Sequence, residues 1–512
     1  MTFINYIALL TRKGFMTKEI KKYQDEILIF VSTFVLGFLA HGFIYLNGIF
    51  SHDASRIFQN DVAFQISLGR FLQPIYLWFR GYIAAPFLIG IIALFFLSLA
   101  ICFIQKTFNL KKRISIVLLC AFLIMNSTIA LGNASYMPWS DIYMLCFFLA
   151  SFGVYAFVKI KYGFVITIIC ISVISSLYQP YFATAVVLLM LYELKRLLEK
   201  VDAKEVFIDG LKAILTLIIG LLLYYGILNL ILNITGIELS SGSNSIGGVG
   251  DFSGMSVISL IIDTYKYCVK SFIRPITYHH NAVGLANVLM VSLTLFGIGL
   301  LAKYNKIKNL ELVLMLLVIA LLPFGMNIIY FISKGSVHEL VIFSFYLFYL
   351  LVIVVYDKDG FNQLFKKVIL FLMCYILMNN LIYSNQLYLK KDLEYKATLS
   401  VMTRIIDRIE QVEGYELNQT PVSFVGNLAG SPLSTNRYGY GEIVGIGIDG
   451  FGSYSTTYDL TYYWYMTEIL GYPMIVVPSY DYSGHEEVKE MGIFPSVDSI
   501  KMIDGTIVVK LS

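Results

Sequence analysis

Asp53 and Arg56 stand three residues apart in Gly48-Ile-Phe-Ser-His-Asp53-Ala-Ser-Arg56, directly after the first apolar stretch of the chain. Asp61, Arg70 and Arg80 follow before the next one begins. Ionisable groups of both signs at the edge of a bilayer lose hydration at a cost unless they are paired, so such a cluster marks a functional site by default. The chemistry it suits is displacement at a lipid-phosphate sugar. A carboxylate takes the proton of an attacking hydroxyl, and a guanidinium, planar and permanently charged, binds two oxygens of the departing phosphate. Asp53 and Asp61 are the carboxylates of this loop, with Arg56, Arg70 and Arg80 as phosphate or structural partners. The three-residue spacing equally fits an ion pair or a helix cap at the interface.

Three further groups stand at the same level of the chain's membrane plan. Asp141 follows Asn133-Ala-Ser-Tyr-Met-Pro-Trp139-Ser and reads as a second acid or as a helix start beside an interfacial tryptophan. Tyr178, Gln179 and Tyr181 suit the lining of a sugar pocket or a belt of interfacial aromatics. Lys270 and Arg274, after the Gly/Ser-rich run 240–254, suit a phosphate clamp or ordinary headgroup contacts. His279-His280 has no cysteine or acidic partner nearby, so no zinc set is expected, and no Walker or dinucleotide spacing is present. No cofactor is implied. A carboxylate loop of this kind can hold a divalent cation or work without one.

The elements that must position these residues are membrane helices. Of the 512 residues 58% are apolar and 14% charged, which is more apolar surface than a soluble core hides. The formal charge of +4 argues against a nucleic-acid partner. Apolar runs predict about eleven spans, near 27–47, 84–104, 114–131, 141–158, 163–178, 181–194, 210–233, 284–302, 310–330, 339–356 and 367–384. The fifth and sixth are joined only by Tyr178-Gln-Pro180-Tyr181, which also fits a kinked or re-entrant pair. Lys and Arg concentrate at 106–113, 195–204, 303–308 and 358–367, placing those loops and the N-terminus in the cytoplasm. Residues 1–26 read as a cytoplasmic amphipathic segment and 27–384 as the membrane domain, with external loops at 48–83 and 234–283. An odd number of spans places 385–512 outside, as a small α/β domain with a helix from Asp392 to Glu410 and strands at Thr420, Pro473 and Thr506. The six cysteines fall mostly within apolar spans and form no disulfide pattern.

Asp53-Ala-Ser-Arg56, Gly69-Arg70-Phe-Leu-Gln-Pro74, Gly81 to Pro86, Ser127 to Asp141 and Tyr178-Gln-Pro-Tyr181 together resemble the GtrII family of membrane glucosyltransferases, over about residues 25–385. The resemblance implies an all-α, multi-pass architecture of GT-C type in the bacterial cytoplasmic membrane. It further implies inverting transfer of glucose or another hexose from an undecaprenyl-phosphate donor to a surface glycan such as O-antigen, with the essential acid in the first external loop. That acid is Asp53 first and Asp61 second here, although His52 occupies the position where a paired acid is expected. Two other classes share the polytopic form. A lipid-linked-sugar transporter or flippase calls for broken polar helices near the midplane, and a polysaccharide polymerase does not account for an acid directly after the first span. The Tyr-rich stretch from Tyr438 to Tyr465 is expected to help recognise the acceptor.

Overall fold

The computed structural model describes residues 23–50, 57–58, 61–240, 254, 256–275, 282–335, 337–428, 462–463 and 465–512. The expected N-terminal amphipathic segment lies outside them up to residue 22, as do Asp53, Arg56 and most of the Tyr-rich stretch. Apolar helices dominate the rest. In chain order they are α1 (Gln24–Leu46), the short α2 (Val62–Ser67) and α3 (Gln73–Arg80), α4 (Pro86–Phe108), α5 (Arg113–Ile124), α6 (Ser127–Ser135), α7 (Ser140–Lys159), α8 (Gly163–Tyr178), α9 (Phe182–Leu198) and α10 (Ala203–Thr235). Then follow α11 (Val257–Ile273), α12 (Val283–Tyr304), α13 (Asn309–Met326), α14 (Ile328–Ile332), α15 (Phe348–Asp357) and α16 (Gln363–Glu410).

Nine helical stretches among the described residues are long and apolar enough to cross a membrane. The expected eleven differ from this count in two places. Gly163–Leu198 is one stretch of 36 residues, about 54 Å of helix if it were straight, against a hydrocarbon core of roughly 30 Å. It is not straight, because Tyr178 leaves the helical region (φ −157°, ψ 99°) and Gln179–Tyr181 forms a single 3-10 turn around Pro180. Past that turn α9 returns to the lysine-rich end, where Leu198 O accepts from Asn305 at 2.8 Å and Glu199 pairs with Lys358 at 2.8 Å. The second place is Phe343–Asp357, apolar but shorter than a full span.

The stretch Arg113–Ser135 is the most enclosed of the nine, and it is broken. At Asn126 the chain turns extended; its side chain caps α6 through Ile129 N, and Asn380 of α16 donates to the freed Met125 carbonyl at 2.9 Å. Irregular backbone at this depth survives because each polar group is answered within the protein. Around it the core packs through aromatic rings, as where Phe122 stacks on Tyr349 at 4.0 Å and 10°. Close approach of α1 and α4 depends on Gly90, where a Cβ would lie 2.6 Å from the Tyr45 ring.

Helix α16 runs unbroken for 48 residues, roughly 72 Å, from the last apolar span into the C-terminal unit. The helix expected to start at Asp392 is its distal half, whose Met402, Ile405 and Ile409 are buried against a four-stranded sheet. The strands are β1 (Pro421–Val425), β2 (Ile475–Val476), β3 (Ile500–Ile503) and β4 (Thr506–Lys510), in the order β2-β1-β4-β3. β1 is parallel to both neighbours, and β3 and β4 form a hairpin. Its turn, Asp504-Gly505, has positive φ at both residues, the geometry whose twist matches flanking strands.

Candidate functional site

Residues 61–80 form two short helices because their sequence starts and stops them. Asp61 begins α2, its Oδ1 accepting from Phe64 N at 2.8 Å, so this exposed carboxylate is engaged as a cap. Pro74 opens α3 and Gly81, at φ 96°, ends it. That ending aims Arg80 into the bundle at the start of α7. There its guanidinium, 3% exposed, meets the carboxylate of Asp141, which is wholly buried. Nη1 lies 3.1 and 3.3 Å from the two carboxylate oxygens and donates to Pro138 O at 2.7 Å. Tyr76 donates to Asp141 Oδ2 at 2.9 Å, and Ile142 N to Oδ1 at 3.0 Å. Burial and the adjacent carboxylate both raise the Tyr76 phenol above its ordinary range, so it stays a donor. Both oxygens of Asp141 are therefore engaged, and the arrangement fastens the loop to the bundle.

A second knot lies one turn of chain earlier. Arg70 sits over the Tyr178 ring at 4.9 Å. Gln73 donates to Leu177 O at 2.7 Å, and Gln179 to Leu68 O at 2.9 Å. Tyr224 reaches Gly69 O at 3.0 Å. Tyr178 and Tyr181 are both buried, packed on Tyr143 with centroids at 4.6 and 6.0 Å, so they are core aromatics in this state rather than an open lining. Among the described residues, four polar atoms of this region are buried without a hydrogen-bond partner: Arg70 Nε, Gln65 Oε1, Gln73 Oε1 and Ser175 Oγ. Buried polar groups are ordinarily satisfied, so this concentration beside one guanidinium stands out.

Lys270 and Arg274 lie one helical turn apart near the end of α11 and border a cleft of about 250 Å3 between α11, α12, α16 and the 3-10 turn Phe343–Leu347. Neither side chain makes an ion pair or hydrogen bond among the described residues, and both are exposed. Polar groups line the interior: Ser127 at the start of α6, hydrogen-bonded to Tyr346 at 2.6 Å, Asn287, hydrogen-bonded to Tyr349 at 2.8 Å, and Asn380. The same two cations border an apolar groove along the outer side of α11, formed by Ile261, Ile262, Val269 and Ile273. An anionic head with an apolar tail fits this combination: cations at the junction, a polar recess on one side, an apolar strip on the other.

Sequence reasoning did not single out the buried polar groups of α16. Lys390, Lys391 and Glu394 are at most 6% exposed, and Lys391 Nζ lies 3.6 Å from Glu394. Just before them Tyr388 meets His41, Oη to Nδ1 at 2.6 Å, while His41 Nε2 lies 2.9 Å from Ile124 O. A backbone carbonyl only accepts, so Nε2 carries a proton, and in the neutral ring Nδ1 accepts from the tyrosine. The available signal was charge directly following an apolar span, the same signal that marked Asp53. Among the described residues no three His, Cys, Asp or Glu side chains converge as a metal cage.

A family model described as glucosyl transferase GtrII matches residues 42–356. No curated protein and no solved structure matches the chain.

Proposed function

The chain belongs to the GtrII glucosyltransferase family, and we propose that it transfers a glucosyl or other hexosyl group from an undecaprenyl-phosphate donor to a bacterial surface polysaccharide such as O-antigen. The family supports glycosyl transfer in surface-polysaccharide modification, and the apolar helices support a multi-pass membrane protein. In this reading the chain crosses the cytoplasmic membrane eleven times in a GT-C-type arrangement. That number counts α8 and α9 as separate passes and adds Phe343–Asp357 to the other spans. The N-terminus is then cytoplasmic, and the C-terminal domain and the α2–α3 loop face outward.

The reaction is a single displacement. Asp53 removes the proton of the acceptor hydroxyl, and that oxygen attacks the anomeric carbon from the side opposite the phosphate. The bond from that carbon to the phosphate oxygen breaks, and its electron pair leaves with the polyprenyl phosphate, inverting the centre. Arg80 and Asp141 are engaged with each other, so their proposed role is to hold the loop in place. Arg56 and Arg70 remain candidates for the phosphate, Arg70 because its Nε is buried without a hydrogen-bond partner among the described residues.

The observation that carries this reading is the cleft whose border is formed by Lys270 and Arg274. Replacing both by Gln is expected to raise the KM for the lipid donor about 10- to 100-fold, the equivalent of one or two charge-assisted hydrogen bonds, with little change in kcat at saturation. Both side chains are exposed, so protein abundance is expected to stay at the native level. An unchanged KM in membranes supplied with labelled polyprenyl-phosphate glucose contradicts this assignment. The break at Asn126 in the most enclosed span favours a second reading, movement of lipid-linked sugar across the bilayer. Protein-dependent appearance of labelled lipid in the opposite leaflet, without transfer to glycan, would support it.

A further inference from the structure

The segment 51–56 that carries Asp53 lies between two residues, Phe50 and Ile57, and both are held by the C-terminal domain. The hydroxyl of Tyr465 donates to Phe50 O at 2.9 Å. The backbone N–H of Ile57 donates to Glu468 Oε2 at 3.0 Å, and that of Phe58 lies 3.5 Å from the same oxygen. Ile57 is also tied to the membrane domain, its carbonyl accepting from Ala84 N at 3.0 Å. Aromatic contacts continue the line, with Phe50 against Tyr395 at 6.1 Å and Tyr395 against Tyr465 at 6.5 Å.

Tyr465 and Glu468 share a single π-helical turn, Tyr465–Ile469, three residues apart. Such turns recur at functional sites because they re-aim side chains that an α-helix would stack differently. The turn itself is firmly seated. Tyr465 and Met466 are buried in the core formed by the sheet and the distal half of α16. Because α16 is one uninterrupted helix from the last span to that core, the C-terminal domain cannot swing away from the loop without bending it.

We propose that the C-terminal domain positions the catalytic loop, with Glu468 and Tyr465 as positioning residues that hold the two flanks of the Asp53 segment. The proposal rests on the reading of Asp53 as the base. It goes beyond the family, because the matched region ends at residue 356 and the clamp lies past residue 464. A misplacement of about 1 Å at a reacting group can cost roughly 100-fold in rate, so the hydrogen bonds that hold Phe50 and Ile57, on either side of Asp53 in the chain, are a sensitive point of control.

The test uses the full chain in membranes. Glu468→Ala is expected to lower kcat for sugar transfer about 10- to 100-fold, with the KM for the lipid donor within about twofold of native. Glu468→Gln is expected to restore most of the rate, since its amide oxygen accepts from the same N–H groups. Equal loss in both variants, or no loss in either, overturns the proposal. A second readout is independent of activity. With exposed Cys374 replaced by Ser, a thiol placed by Ile57→Cys, at a position 8% exposed, is labelled with a membrane-impermeant maleimide. Adding Glu468→Ala is expected to speed labelling at least about threefold by opening the flank; an unchanged rate contradicts the clamp. If the native chain transfers no sugar while labelling still depends on Glu468, the reaction reading fails and the clamp stands.

Discussion

Arg80→Ala is expected to cost the folded membrane domain about 3–5 kcal/mol, because it leaves the wholly buried carboxylate of Asp141 without its cation. Tyr76 and Ile142 N remain as donors but carry no compensating charge. Thermal unfolding in detergent, followed by loss of monodisperse protein, reads the change. The paired replacement Arg80→Met with Asp141→Leu removes both charges, and its stability is expected to return close to native, since well-packed apolar residues often replace a buried ion pair without penalty. Activity then tests whether Asp141 is the second acid that its place in the sequence allows. A paired variant that folds and transfers sugar makes Asp141 an anchor for the α2–α3 loop. One that folds and is inactive makes it the second acid.

Asp53→Asn carries the other large effect. General base catalysis contributes about 10²- to 10⁴-fold, and the amide keeps the shape of the side chain while losing the basicity. Transfer is expected to fall by that factor, with the KM for donor little changed and with protein abundance equal to native. Asp61→Asn provides the internal comparison. The Asn oxygen still accepts from Phe64 N, so the cap on α2 survives and activity is expected to stay within about threefold of native. A reversal of the two results would move the base from Asp53 to Asp61.

Much of the architecture is legible in the chain because burial writes itself as long apolar runs and turns write themselves as Pro, Gly and Asp. Pro180 marks the reversal between α8 and α9, and Gly81 ends α3. Thr420, Pro473 and Thr506 begin segments that contain β1, β2 and β4. What stays hidden depends on partners far apart in sequence. Arg80 and Asp141 each stand out as ionisable groups near a membrane surface, but nothing local shows that they consume one another. The last span is expected to end at 384 and a soluble helix to begin at Asp392, whereas α16 passes unbroken through Lys390, Lys391 and Asp392 and buries them. β3, only four residues long, has too little alternation to be distinguished from a loop. Glu468 and Tyr465, more than 400 positions from the loop they hold, leave no local trace.

Sugar transfer from a lipid-phosphate donor is open to direct measurement. The direct measurement reconstitutes the purified full chain in vesicles with polyprenyl-phosphate glucose labelled in the sugar and the host's surface glycan, and follows label from lipid to glycan. Transfer is expected to require the chain, to need no nucleotide sugar and to collapse with Asp53→Asn. Label that stays on the lipid at native Asp53, or that moves only when a nucleotide sugar is supplied, contradicts it.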